Sequence, residues 1–141
     1  MTADRPAPEL SRFFYQLVGA GWHWTDRLAW TDEQWRDWVD RPEHRLITCW
    51  GDGVPAGYIE LETQSPSTVE IAYFGLAPGF IGQGLGGWLL TNGVEAAWAM
   101  PGTERVWLHT CSLDGPHALA NYRARGFTEF GQRREWRMLK G

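Results

Sequence analysis

The chain has 141 residues, of which 43% are hydrophobic, and its formal net charge at pH 7 is −4. This length fits one domain, and the hydrophobic fraction is large enough for a core, which excludes a disordered chain. We therefore expect a single domain over residues 1–141. The negative charge argues against a nucleic-acid partner, because proteins that bind nucleic acids usually carry a basic excess or a basic stripe.

The sequence predicts a cytoplasmic protein. Its start, MTADRPAPELSR, lacks the apolar run of a signal peptide. Residues 71–94 carry no charge, but glycines and Pro78 interrupt them, so we expect neither a membrane-spanning helix nor a membrane partner. Cys49 and Cys111 are far apart and lack any metal-ligand spacing, and we expect both to be reduced and buried.

Hydrophobic periodicity predicts two helices at the start of the chain. The first covers about 8–19, with Gly19 and Gly21 as its end. The second begins after Thr31, whose side chain and that of Gln34 can form a capping box.

Strands and helices alternate in the rest of the chain. Three strands are predicted over 45–50, 55–62 and 69–77, and the turn GDGV at 51–54 joins the first two. The later elements are a helix from about 84 to 100, a strand over 104–111, a helix from near 116 to Gly126, and one or two strands within 127–139. This order predicts an α/β protein with a mixed sheet and helices packed against it.

A glycine-rich loop precedes the third helix. The stretch GFIGQGLGGWLL, residues 79–90, has glycine at 79, 82, 84, 86 and 87. Without side chains, successive N–H groups can point at one anion, and a helix N-terminus adds about half a positive charge. We therefore predict that this loop binds a phosphate group.

Two nucleotide-binding patterns fit the loop poorly. It lacks the Gly-Lys-Ser/Thr of a P-loop. Gly82, Gly84 and Gly87 match G-x-G-x-x-G, but residues 78–81 separate them from the preceding strand, and too few residues follow for a doubly wound sheet. A small NAD-binding oxidoreductase therefore remains only the less favoured alternative.

The loop resembles the pyrophosphate loop of the GNAT superfamily of acetyl-CoA-dependent acyltransferases, whose form is (Gln/Arg)-x-x-Gly-x-(Gly/Ala) at a helix start. The matching residues follow a strand and Ala77-Pro78, and they read Ile81-Gly82-Gln83-Gly84-Leu85-Gly86. EIAYFGL at 70–76 is similar to the strand before this loop in histone-acetylating members, and ALANYRARGF at 118–127 is similar to a later helix. The resemblance covers about residues 45–139.

This resemblance implies a GNAT-like fold, with a mixed and mostly antiparallel sheet flanked by helices. The chain departs from the family in two places. Ile81 replaces the usual Gln or Arg and removes one side-chain contact to the pyrophosphate. The first strand of the family is not evident, and it is short, absent or hidden near residues 22–30.

The implied activity is transfer of an acetyl group from acetyl-CoA to a primary amine in a ternary complex, with no metal. The pantetheine arm of the coenzyme is expected beside residues 75–78, like an added strand, so the sheet should open there. A backbone N–H at or near Leu76 would then stabilise the oxyanion. The residues expected to bind the coenzyme are Leu76, Ala77, Pro78, Ile81, Gly82, Gln83, Gly84, Leu85, Gly86, Gly87 and Asn121.

Glu70 is the candidate general base. In a regular strand it shares a face with Ala72, Phe74 and Leu76. A carboxyl group among apolar neighbours has a raised pKa, which suits removal of a proton from an ammonium group. The alternative is a carboxylate that lies in water or in an ion pair with arginine.

Tyr122 is the candidate acid, because the family places a tyrosine near the coenzyme sulfur and a phenol can protonate a thiolate. Its alternative role is that of a core tyrosine. His109, on the fourth predicted strand, is expected to be a hydrogen-bonded residue of the sheet rather than a base. No His or Cys spacing indicates a metal.

The acceptor is expected to be a small-molecule or peptide amine. Several of the ten tryptophans lie in the first 50 residues, and most are expected in the core. An aromatic pocket with Asp26 or Asp32 nearby could hold a cationic amine. The protein could be a monomer or a homodimer, and a coenzyme A-binding regulatory module without turnover is the alternative function.

Overall fold

The structure, a computed structural model, describes residues 1–22, 24–65, 67–109, 116–130 and 135–139. The helices are α1 (Pro8–Trp22), α2 (Asp32–Val39), α3 (Leu85–Ala99) and α4 (Pro116–Ala124). The strands are β1 (His44–Gly51), β2 (Val54–Ser65), β3 (Thr68–Leu76), β4 (Arg105–His109), β5 (Thr128–Phe130) and β6 (Glu135–Leu139). None of the described helices has the length and apolar character that crossing a bilayer requires.

The described strands form one sheet in the order β1-β2-β3-β4-β6-β5. Only β3 and β4 are parallel, and every other neighbouring pair is antiparallel. The predicted mixed, mostly antiparallel sheet is therefore confirmed.

Helices cover both faces of the sheet. Leu89 and Leu90 of α3 are fully buried in a cluster with Ile59 and Leu108 of the sheet. On the other face, α1 contributes Phe14 to a second cluster. Each fully buried side chain of this kind contributes about 1.5–3 kcal/mol to folding, so the two clusters fix the helices on the sheet.

Helix α1 runs three residues beyond its predicted end. A Cβ atom on Gly19 would lie 2.8 Å from Cε3 of Trp24. Gly19 therefore makes room for the Trp24 indole and does not end the helix. The prediction that Gly19 and Gly21 are stops is wrong, because the requirement for glycine came from tertiary packing.

The N-terminal residues pair with the outer edge of β1. Thr2 forms an isolated antiparallel bridge with Ile47. The N–H of Ala3 donates to the carbonyl of Leu46 at 2.9 Å, and that of Thr48 donates to the carbonyl of Met1 at 2.8 Å. A minimal first strand thus lies at the start of the chain, and residues 24–30 contain a turn and no strand.

Candidate active site

The alternation of side chains between the two faces of the sheet is interrupted in β3 at Ala72. Glu62 pairs with Glu70 and Leu61 with Ile71, but Glu60 pairs with Tyr73, which leaves Ala72 without a partner. Such a bulge inserts one residue and shifts the alternation of side chains by one position.

The expectation that Glu70 shares a face with Phe74 and Leu76 is therefore wrong. Residues opposite each other on antiparallel strands lie on the same face, so Glu70 and Tyr73 face α1 and α2. Phe74 and Leu76 belong to the cluster on the α3 side. The candidate base consequently lies on the opposite face of the sheet from the apolar neighbours that the sequence suggested.

The described pairing of β3 with β4 is short. The two strands pair over 68–71 and 105–108, and no described residue pairs with β3 beyond Ile71 on that edge. The N–H of Ala77 donates to the carbonyl of Ala56 at 2.7 Å. Because paired and unpaired positions alternate in an antiparallel ladder, the main-chain groups of Phe74 and Leu76 point away from β2 and toward the β4 side of β3.

A cleft of about 440 Å³ lies beside the end of the described β3–β4 pairing. Glu70 and Tyr122, the two residues predicted as base and acid, both line it. Glu70 belongs to the face of the sheet that carries α1, whereas Tyr122 comes from α4 and packs in the cluster on the α3 side. The other lining side chains include Trp24, Asp26, Arg27, Trp38, Glu62, Tyr73, Phe74 and His109.

Glu70 is held by two polar neighbours. The Nε2 of Gln64 donates to Glu70 Oε1 at 2.8 Å, while the Oε1 of Gln64 accepts from the indole N–H of Trp107 at 2.9 Å. The Nδ1 of His109 lies 3.2 Å from Glu70 Oε2. Burial raises the pKa of Glu70 and outweighs the hydrogen bond and charge of His109, which lower it.

His109 is hydrogen-bonded, as predicted, but its partner is the candidate base. Its side chain is 49% exposed and its ring lies edge-on to Trp107 at 4.4 Å. The parallel pairing that brings His109 to Glu70 joins segments far apart in the chain, so no local pattern reveals it. Gln64 was also missed, because it lies beyond the strand predicted over 55–62.

Tyr122 belongs both to the cleft and to the core. It is 6% exposed, and its ring centroid lies 6.3 Å from that of Phe74 and 6.3 Å from that of Phe127. Tyr122 is therefore a core residue that also lines the cleft, and its role as acid stays a prediction.

The glycine loop leads into α3 in the predicted place. Gly82 and Gly84 have φ values of 85° and 82°, and Gly84 is the N-cap of α3. A Cβ atom on either would meet no other atom within 4 Å, so their backbone conformation requires glycine and the space around them is open. Gln83 donates to the carbonyl of Gly79 at 3.1 Å, and Ile81 is 41% exposed.

The next two glycines bring α4 close to α3. A Cβ on Gly86 would lie 3.7 Å from Nδ2 of Asn121, and one on Gly87 would collide with the guanidinium of Arg125. The Nε of Arg125 donates to Thr91 Oγ1 at 2.8 Å. The structure thus places Asn121, predicted to bind the coenzyme, beside the helix that the glycine loop begins.

The aromatic pocket predicted for a ligand cation already holds a side chain of the protein. The Cζ of Arg27 lies 4.3 Å from the ring of Trp30, 4.1 Å from that of Trp38 and 4.3 Å from that of Tyr73. These three rings therefore stabilise Arg27 and are not free for an acceptor amine.

The two aspartates considered for the acceptor differ in position. Asp26 lines the cleft and accepts from the hydroxyl of Tyr73 at 3.5 Å. Asp32 lies at the exposed start of α2 and pairs with Arg12 at 3.4 Å, outside the residues that line the cleft. Within the ranges that the structure describes, no three His, Cys, Asp or Glu side chains are grouped as a metal site would require. Cys49 is buried and free, and Cys111 lies outside these ranges.

The sequence profile of the acetyltransferase (GNAT) family matches residues 8–127, and the chain belongs to this family. It is accordingly an acetyltransferase of the GNAT type.

Solved structures show the same fold. A putative acetyltransferase of the GNAT family from Desulfovibrio desulfuricans is 16% identical, with a TM-score of 0.71 and coverage of 100% of this chain and 99% of that one. The spermidine/spermine N-acetyltransferase SpeG from Vibrio cholerae is 15% identical, with a TM-score of 0.72 and coverage of 99% and 95%. The PaiA N-acetyltransferase from Thermoplasma acidophilum is 17% identical, with a TM-score of 0.66 and coverage of 94% and 89%. No curated protein matches the sequence.

Proposed function

We propose that the protein transfers the acetyl group of acetyl-CoA to the primary amine of a small molecule or peptide, by direct attack in a ternary complex. The observation that carries this proposal is the cleft beside the end of the described β3–β4 pairing. A carboxyl group with a raised pKa and a phenol, Glu70 and Tyr122, both line it. The first turn of α3 packs against the end of β3, because a Cβ on Gly86 would lie 3.6 Å from Cδ1 of Leu76.

The coenzyme diphosphate would bind on the main-chain amides of residues 82–87. Two arguments support this position: the space around Gly82 and Gly84 is open, and the N-terminus of α3 is partly positive. The PaiA structure from Thermoplasma acidophilum was solved in complex with coenzyme A. Because Ile81 offers no polar group, the backbone and the side chain of Gln83 would hold the diphosphate.

The pantetheine arm would run along the open edge of β3. The main-chain groups of Leu76 point toward this edge, and Ala77 and Pro78 continue it toward the loop. An amide-rich arm can pair with such groups as an added strand does. Asn121 would bind the arm from α4, and Leu85, Gly86 and Gly87 would form the turn of helix beneath it.

The two proton transfers of the reaction are assigned to Glu70 and Tyr122. Glu70 takes a proton from the acceptor ammonium, directly or through a water molecule, and the neutral amine attacks the thioester carbonyl carbon. The N–H of Leu76 donates to the oxyanion of the tetrahedral intermediate. Collapse of the intermediate breaks the carbon–sulfur bond, and the thiolate takes a proton from Tyr122. The nitrogen of the new amide loses its second proton, which returns through water to the Tyr122 phenolate, while Glu70 releases its proton to solvent. General acid–base catalysis of this kind contributes about 10²–10⁴-fold in rate.

A screen of amines with acetyl-CoA, followed by detection of free thiol, tests the proposal. Glu70→Gln is expected to lower kcat by about 10²-fold or more with any accepted amine, because it removes the base. Glu95→Gln, on an exposed position of α3, is the matched control and should retain wild-type rates.

The melting temperature of the protein, measured with coenzyme A and with NAD, completes the test. A ligand that binds only the folded state raises it, so coenzyme A should raise it and NAD should not. A shift with coenzyme A but no turnover of any amine would make the protein a coenzyme-binding module instead. No shift at millimolar coenzyme A would contradict the assignment of the loop.

A further inference from the structure

Arg27 occupies an unusual position on the wall of the cleft. It lies in the turn at 26–29, and only 10% of its side chain is exposed. Its backbone N–H donates to the hydroxyl of Tyr15 at 3.0 Å, and the three aromatic rings around Cζ hold the guanidinium in place. These rings stabilise the positive charge, but a π face is not a substitute for an oxygen acceptor, and the Tyr73 hydroxyl donates to Asp26 instead.

No described residue accepts a hydrogen bond from this guanidinium. Its Nη1 atom faces Glu60 Oε1 at 3.9 Å, and both atoms are buried without a hydrogen-bond partner. That distance permits attraction between the charges but exceeds the usual length of an N–H to O hydrogen bond. A buried cation with unmade hydrogen bonds is costly, so its retention in the wall of a cleft calls for a structural or functional reason.

Glu60 is kept at this distance by other residues. Its Oε2 atom accepts from Ser11 Oγ at 2.8 Å and from the indole N–H of Trp38 at 2.8 Å, and it lies 2.6 Å from His44 Nε2. These contacts come from α1, α2 and β1, so the carboxylate is fixed from three sides. Glu60 therefore balances the charge of Arg27 on the Nη1 side, and Nη2 and Nε, on a side chain that lines the cleft, are left for another acceptor.

The cleft carries the charges that a zwitterion requires. Glu70 and Asp26 line it together with Arg27, so acidic groups and one arginine face the same space. Glu62, the third acidic residue of the lining, is already paired with Arg41 at 2.8 Å. An acceptor with an ammonium near Glu70 and a carboxylate at Arg27 would complement both.

We propose that the guanidinium of Arg27 binds a carboxylate of the acceptor, so that the acceptor is an amino acid or a related molecule with both a primary amine and a carboxylate. This inference rests on the proposed function and names its substrate class. Planar guanidinium and carboxylate groups form paired hydrogen bonds, which a point-like ammonium does not reproduce. The aromatic rings would hold the guanidinium ready for such a pair.

Matched amines test the inference on the unmodified protein. Three sets are used: leucine, leucinamide and isoamylamine; phenylalanine, phenylalaninamide and phenethylamine; and lysine, lysinamide and cadaverine. In at least one set, kcat/KM for the carboxylate member should exceed that of the other two by at least about tenfold, as expected for a charged hydrogen bond. The α-amine of the amide loses its proton more easily than that of the free acid, so amine ionisation works against the expected result.

A variant then assigns the preference to Arg27. Arg27→Lys keeps the positive charge but loses the paired N–H donors of the guanidinium. KM for the carboxylate member should therefore rise at least about tenfold, while kcat/KM for the amide member stays within about twofold. Arg12→Lys, at an exposed arginine of α1, is the control and should change neither value. Melting temperatures check that both variants fold.

The outcomes separate this inference from the proposed function. If amides or simple amines react as well as the carboxylates, or better, the inference is overturned and the acetyltransferase activity stands. An equal loss with all members in Arg27→Lys also overturns it and makes Arg27 only the counter-ion of Glu60. If no amine releases thiol at all, the proposed function fails and the inference fails with it.

Discussion

Glu70 and His109 are joined side chain to side chain across the two parallel strands, with 3.2 Å between Glu70 Oε2 and His109 Nδ1. The carboxyl side chain is 16% exposed, whereas the imidazole side chain is 49% exposed. The contact therefore links a largely buried candidate base to a group that reaches solvent. It is also the main influence that opposes the effect of burial on the pKa of Glu70.

Removal of His109 should shift the pH dependence of the reaction. His109 lowers the pKa of Glu70, so His109→Ala should raise that pKa further. A base must be ionised to act, and the acidic limb of the kcat/KM profile should therefore move to higher pH. If His109 itself were the base, the limb would disappear and the rate would fall by about 10²-fold or more at every pH.

The conformation of Gly84 should matter for binding of the coenzyme. Alanine at its φ of 82° is strained by about 1–2 kcal/mol, so Gly84→Ala should distort the loop and weaken coenzyme A binding by about tenfold, measured by calorimetry. Gly79→Ala is a matched control, because Gly79 has no positive φ and a Cβ there meets nothing within 4 Å. Equal affinity in both variants would contradict the role of the loop.

Loss of the Tyr122 hydroxyl should affect turnover more than folding. Tyr122→Phe keeps the buried ring, so the melting temperature should change little, while kcat should fall by about 10²-fold if the phenol protonates the thiolate. Tyr58→Phe is the control, since Tyr58 is fully buried, its hydroxyl has no partner and it does not line the cleft. A Tyr122→Phe enzyme with normal kcat would leave Tyr122 as a core residue only.

Glu60 should be among the side chains most important for stability. Glu60→Ala leaves the charge of Arg27 uncompensated and removes the acceptor for Ser11 and Trp38, and we expect unfolding free energy to drop by about 3–5 kcal/mol. Chemical denaturation measures this change. Glu104→Ala, at an exposed position, should stay within about 0.5 kcal/mol of the wild type.

Local signals in the sequence predicted much of the fold. The capping box at the start of α2 is present, with Thr31 Oγ1 and Gln34 Oε1 each accepting the other's backbone N–H, at 3.2 Å and 2.8 Å. The turn GDGV joins β1 to β2, and Asp52 and Gly53 both have the positive φ that tight hairpins need. In each case neighbouring residues alone decide the geometry, so a single sequence is sufficient.

Longer-range relations escaped prediction for a common reason. The bulge at Ala72 inserts a residue without changing the composition of the strand, so strict alternation assigned Glu70 to the wrong face. The rings around Arg27 come from the turn, α2 and β3, and only the folded chain brings them together. Candidate residues could therefore be named from motifs, but their neighbours could not.

The open edge of β3 also bears on the order in which substrates arrive. No described residue pairs with β3 beyond Ile71 on this edge. Under the proposed function, the arm of acetyl-CoA would lie along Phe74 and Leu76 and add a wall to the cleft. We therefore expect the amine to bind after acetyl-CoA, an order that initial-rate and product-inhibition kinetics measure.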